Sequence, residues 1–105
     1  MSLNRYLDRQ MDKFIVASIN RASVSSDRNF LYRISADSIK EAVDIQRLHE
    51  ATVTNYLTEH YRVDASYDDR SKVFFIELDL DRCVLDPSQA KILSEAMELF
   101  RAQNM

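Results

Sequence analysis

The sequence predicts an α+β fold: an N-terminal helix followed by β-α-β-β-α, a split βαβ-like arrangement built on a three-stranded antiparallel sheet. Three observations predict it. Apolar residues recur at three-to-four spacing near both ends of the 105-residue chain, the period of a helix buried on one side. Two adjacent stretches alternate apolar and polar residues, and they can be paired so that every inward residue meets another. Between a first short strand and that hairpin stands a helix-capping signature.

The first helix spans 3–22, where Leu3, Leu7, Met11, Phe14, Ile15 and Ala22 lie on one face and Arg5, Arg9 and Lys13 on the other. The segment 22–29, ASVSSDRN, is polar and serine-rich with no apolar period, so it reads as a loop. Residues 1–105 form a single domain in this reading. Helix 1–22 can stand as a semi-independent unit, 23–29 is its linker, and 30–105 is the α+β core.

Phe30, Tyr32 and Ile34 alternate with Leu31 and Arg33, a strand over 30–34. Ser38 and Glu41 then make a capping box, with Ser35 as a competing cap. The helix that follows is expected to run over 38–60. Ile39, Val43, Val53 and Leu57 mark one side of it, interrupted by Gln46 and Glu50, while Ile45, Leu48, Thr52 and Tyr56 mark a second. A helix apolar on two sides touches two things.

The hairpin pairs 61–67 with 72–80. Taking Asp69-Arg70 as the loop places Ala65 opposite Phe74, Val63 opposite Ile76 and Tyr61 opposite Leu78. A four-residue loop in the same register is an equal alternative. On the outer side Arg62 then faces Glu77, His60 faces Asp79, Ser66 faces Val73 and Asp64 faces Phe75. The last helix, 87–103, opens with Asp86 as cap, Pro87 at the first helical position and Gln89 closing the box. Its stripe of Ala90, Leu93, Met97 and Phe100 is expected to pack on the inner face of the hairpin.

Composition narrows the function classes. The chain has no glycine, so neither phosphate-cradling loop, G-x-x-x-x-G-K-[ST] or G-x-G-x-x-G, can be written, and the G-x-S-x-G elbow is excluded too. The single cysteine, Cys83, cannot form an internal disulfide, which favours a reducing compartment. No apolar run approaches the ~20 residues that span a bilayer, and the first residues lack a secretory h-region. A cytoplasmic protein with no membrane association is the expectation. Charge is segregated: residues 1–33 carry six basic and three acidic groups, and 34–105 carry eight and fourteen, for a net −3.

No constellation points firmly to catalysis, a metal or a cofactor. His49 and His60 would lie roughly 16 Å apart along one helix, and Val53 stands where H-E-x-x-H needs its second histidine. Cys83 has no nearby base to activate it. The His60–Asp79 pair would have an orienting carboxylate but no nucleophile beside it. Glu77, Asp79, Asp81 and Asp86 read as an acidic strand edge that discourages aggregation. Arg5, Arg9 and Lys13 form a basic stripe about 12 Å long, yet Asp8 and Asp12 flank it and the pI is ≈ 5.3. A nucleic-acid-binding regulator using that stripe is therefore the alternative reading, and a small enzyme the third.

The first reading is a small non-catalytic protein-interaction or regulatory module that self-associates, most simply as a homodimer. Its size and plain composition are those of small accessory proteins, bacteriophage-encoded ones among them, which is an association of type alone. The candidate interaction surface comprises Arg5, Arg9, Lys13, Leu48, Tyr56, Val73 and Phe75.

Overall fold

The structure, a computed structural model, describes residues 1–103. It has the expected α+β class: α1 (Leu3–Ala22), β1 (Asn29–Ser35), α2 (Ala36–Val43), α3 (Glu50–Tyr61), β2 (Asp64–Asp68), β3 (Val73–Asp79) and α4 (Pro87–Gln103). The three strands form one antiparallel sheet in the order β1-β3-β2. No helix among the described residues is long and apolar enough to cross a membrane.

α1 is held by an apolar stripe that recurs every four residues: Leu7, Met11, Ile15 and Ile19 are fully buried. Ser2 caps it, its hydroxyl accepting from the Arg5 amide at 3.2 Å. Ser18, a polar residue inside the stripe, is buried without penalty because its hydroxyl bonds Tyr32 Oη at 2.6 Å and the Phe14 carbonyl at 2.8 Å. Phe14 stacks on the Tyr32 ring with centroids 4.4 Å apart. Since Tyr32 pairs with Ile76, α1 lies on the inner face of the sheet. It is not available to cover the outer one.

The single helix expected over 38–60 is two helices. β1 runs directly into α2, capped by Ser35 rather than Ser38: the Ser35 hydroxyl accepts from the Ser38 amide at 3.1 Å. α2 ends at Asp44, which takes a left-handed conformation (φ 54°, ψ 55°). Residues 44–49 form a loop, and α3 starts at Glu50 behind His49, which makes no side-chain cap bond. The two-sided apolar pattern follows from this break. Ile39 belongs to one helix, Val53 and Leu57 to another, and each buries toward the same core.

The hairpin keeps the expected inner and outer sets but is shifted by two residues. Ala65 pairs with Ile76 and Tyr67 with Phe74, so Phe74, Ile76, Leu78 and Leu80 all stay inside. Such a shift preserves sidedness because the strand period is two. Its cause is the turn. Asp68 accepts from the Arg70 amide at 3.2 Å and the Ser71 hydroxyl at 2.8 Å, and Lys72 closes the loop in the left-handed region at φ 58°. Tyr61 is the last residue of α3 and Arg62 its left-handed cap (φ 53°). The cross-strand pairs Arg62–Glu77 and His60–Asp79 therefore do not exist; Asp64 faces Glu77 instead.

α4 begins with the expected reciprocal cap: the Gln89 amide donates to Asp86 Oδ1 at 2.7 Å and the Asp86 amide to Gln89 Oε1 at 3.0 Å. The helix packs along α1 rather than on the hairpin. Leu93, Met97 and Phe100 are only half-buried and Leu99 is 53% exposed. Arg28 pins it, with Nη2 on Asp81 at 2.6 Å and Nη1 on the Met97 sulfur at 2.7 Å. α1, α2 and α3 thus form the layer on the inner face, and α4 lies outside α1.

Candidate functional site

Two surfaces combine chemistry with accessibility. The first is the outer face of the sheet, which no helix among the described residues covers. Across the strands its rows read Leu31–Glu77–Asp64, Arg33–Phe75–Ser66 and Ser35–Val73–Asp68. Leu31 is 52% exposed, while Val73 and Phe75 are half-buried. The Arg33 guanidinium sits 5.4 Å from the Phe75 ring centroid, a cation–π contact that shields part of that ring. Glu77 and Asp64 are like charges directly opposite each other, an arrangement that destabilises a sheet unless something neutralises it.

The second surface is a cleft of about 520 Å³ between α1, α3 and the start of α4. Asp8 and Asp12 stand one helical turn apart on α1. Tyr56 and Tyr61 come from the last turns of α3 and both donate their hydroxyls to Asp8 Oδ1, at 2.7 and 2.6 Å. Gln89 Nε2 donates to Asp12 Oδ1 at 2.8 Å, and Gln89 in turn is fixed by Asp86. Tyr56 stacks on His60 with centroids 4.2 Å apart and meets Tyr61 edge-on at 6.5 Å.

Burial, then the hydrogen bond and negative charge of Asp8, push the Tyr56 hydroxyl up to about 12. The same causes raise Tyr61 further. Both phenols therefore remain donors across the physiological range, and Asp8 is the acceptor that fastens α3 to α1. No basic side chain lies within ion-pair distance of Asp8, Asp12 or Asp86 among the described residues, whose ion pairs are Arg28–Asp81 and Lys72–Asp69.

The residues singled out in the sequence fall into separate places. Arg5, Arg9 and Lys13 do share one exposed strip of α1, with Asp8 and Asp12 set among them. Val73 and Phe75 lie on the outer sheet face. Leu48 is in the loop before α3, half-buried beside Lys40, Tyr67 and Phe74, and so does not share a helical face with Tyr56. Tyr56 belongs to the cleft. Sequence reasoning missed the cleft because its parts lie 48 and 53 positions apart. Only the α1 carboxylates, spaced by four, were a local signal.

Burial first, then the charges of Asp79 and Asp81, push the Cys83 thiol up, away from the thiolate that a nucleophile requires. Among the described residues no group of three or more His, Cys, Asp or Glu side chains could hold a metal ion. No family model, curated protein or solved structure matches the chain.

Proposed function

We propose that this chain is a small non-catalytic interaction and regulatory module that self-associates as a two-fold dimer through the outer face of its sheet. The observation that carries the reading is that face itself. A sheet packed on one side only, with an exposed leucine, two half-buried apolar residues and an unneutralised carboxylate pair, is complete when a second layer covers it.

Charge complementarity makes a second copy the occupant. Among the paired strand residues of that face the cation is Arg33, one row from the facing carboxylates Glu77 and Asp64. Two-fold packing centred near Phe75 brings each Arg33 toward the opposing carboxylate pair, so both like-charge contacts are relieved together. Asp68 and Asp79 remain at the rim in water. The face is small, about 23 Å along β1 and about 10 Å across the strands, well below the roughly 800 Å² per partner of a standard interface. A weak dimer, with Kd in the range of roughly 10–100 μM, is the expected strength.

Sedimentation velocity from about 10 to 300 μM tests this. The native chain should pass from a 12.3 kDa monomer to a dimer. Leu31→Lys, at an exposed position, should stay monomeric with an unchanged circular dichroism spectrum. A monomer throughout, or a dimer indifferent to both Leu31→Lys and Phe75→Lys, overturns the reading.

A further inference from the structure

We propose that the free edge of β1 pairs antiparallel with β1 of a second copy, about a two-fold axis at Leu31, so that two sheets run on as one. This contact lies in the plane of the sheet and is separate from packing on its outer face.

Backbone direction is the first support. The strand order β1-β3-β2 leaves β1 and β2 as the edges of the sheet. In an antiparallel ladder, residues that exchange hydrogen bonds with one neighbour alternate with residues whose N–H and C=O point the other way. The Leu80 amide donates to the Arg28 carbonyl and the Ala36 amide to the Lys72 carbonyl, both at 2.9 Å. Both pairs continue the β1–β3 register, so the even-numbered residues of β1 are the ones bonded to β3. Asn29, Leu31 and Arg33 therefore turn their backbone groups outward, and no backbone among the described residues meets them there.

The second support is the contrast between the two edges. Natural sheets blunt an open edge by keeping it short, charging it or placing proline on it. β2 follows that rule: it is five residues long, turns only Ala65 and Tyr67 outward, and has Asp64 and Asp68 at its ends. β1 is seven residues long and contains no proline, lysine or acid. Its charge, Arg33, leans over the Phe75 ring of β3, away from the edge. Leu31 stands on it 52% exposed. A long edge without these guards is a template for another strand.

Register then names the occupant. A two-fold axis normal to the sheet keeps both outer faces on one side, so odd-numbered residues must meet odd-numbered ones. An axis at Arg33 would oppose two guanidinium groups, and an axis at Tyr32 would set each Leu31 against an arginine. At Leu31 every pair is compatible. Leu31 meets Leu31 of the second copy, Arg33 meets the neutral Asn29, and on the inner side Phe30 meets Tyr32. Asn29, Leu31 and Arg33, the residues turned outward, are also those that exchange backbone bonds in this register. β1 is complementary to itself, which makes a second copy the occupant rather than a strand of another protein.

The test is amide hydrogen exchange by NMR on the native chain and on Phe75→Lys, which removes the outer-face contact. So short an edge should pair with a Kd of roughly 100–500 μM. In both proteins the amides of Leu31 and Arg33 should exchange about twofold to fourfold more slowly at roughly 1 mM than at roughly 20 μM. Those of Ala65 and Tyr67 should keep one rate. Asn29→Pro puts proline at the first residue of a strand, at an N–H the fold leaves unused. With an unchanged circular dichroism spectrum, it should abolish the slowing. Asn29→Asp places a carboxylate opposite Arg33 on both sides of the axis. In the Phe75→Lys background it should tighten association about threefold to tenfold by sedimentation, the size of two exposed charge pairs.

Exchange at Leu31 and Arg33 that ignores concentration in Phe75→Lys, or stays slowed in a folded Asn29→Pro chain, overturns edge pairing. Slowing at Ala65 and Tyr67 instead moves the contact to β2 and overturns it equally. No gain with Asn29→Asp overturns the register. A native chain that dimerises while its edge amides exchange freely keeps the outer-face reading and sinks this one. Slowed edge amides in a chain whose association is indifferent to Phe75→Lys do the reverse.

Discussion

The two faces of the sheet are written by the same strands and alternate residue by residue. On β3, Phe74, Ile76 and Leu78 are buried to 1% exposure or less, while Val73 and Phe75 are half-buried and Glu77 is exposed. Inward rows are uniformly apolar or aromatic: Ile34–Phe74–Tyr67, Tyr32–Ile76–Ala65 and Phe30–Leu78. Outward rows mix a leucine, an arginine on a phenylalanine ring and two facing carboxylates. Burial of the inward set accounts for folding. The outward set contributes little to it, and in the Asp64–Glu77 pair opposes it. A residue that works against the isolated fold is the more informative one about what the surface meets.

The largest expected effect separates these faces directly. Ile76→Ala removes a fully buried side chain between Tyr32 and Ala65 and should cost about 2–5 kcal/mol by urea denaturation. Phe75→Ala, one position away, should cost less, under about 2 kcal/mol in dilute solution, because its ring is only partly buried and no second layer of the described residues packs on it. Measured at low micromolar concentration, the pair reports the monomer alone. Equal losses would mean that the outer face is buried within one chain, and the contrast would fail.

How far the fold could be read from residues depends on where the information lies. α1 and α4 are long, periodic and capped by Ser2 and by Asp86 with Gln89, all local signals. The sidedness of the hairpin was legible because one face is buried, and its shift by two was not, because that depends on Asp68 organising the turn. The break after Val43 carries neither glycine nor proline. Its only trace was the stripe interrupted at Gln46 and Glu50. The cleft was illegible for another reason: Asp8 meets its tyrosines through tertiary packing, and no spacing along the chain encodes that meeting.

The absence of glycine yields the next prediction. Asp44, Arg62 and Lys72 all adopt left-handed backbone, a conformation that costs a residue with a Cβ about 1–2 kcal/mol. Part of that gain is offset by the freer unfolded chain of a glycine variant. Lys72→Gly and Arg62→Gly should each stabilise the protein by about 0.5–1 kcal/mol in thermal or urea unfolding. Asp44→Gly should do the same at the α2–α3 break and show that the break is a designed terminus of α2. A loss at Asp44 alone would indicate that its side chain, and not its backbone, holds the loop.

The smallest effect bears most directly on the outer face. Asp64→Asn removes one of two facing like charges on neighbouring strands while keeping size and polarity. In the monomer it should stabilise by a few tenths of a kcal/mol, within the range of about 0.2–1 kcal/mol for cross-strand pairs. If Arg33 of a second copy neutralises the pair, the same substitution removes a favourable contact in the dimer. The variant should then gain stability at low micromolar concentration, yet dimerise about twofold to fivefold more weakly by sedimentation, the size of one exposed charge pair. Opposite signs in the two measurements are what the proposed arrangement requires. Tighter dimerisation by Asp64→Asn would show instead that the acidic faces repel each other, and would move the contact elsewhere on the molecule.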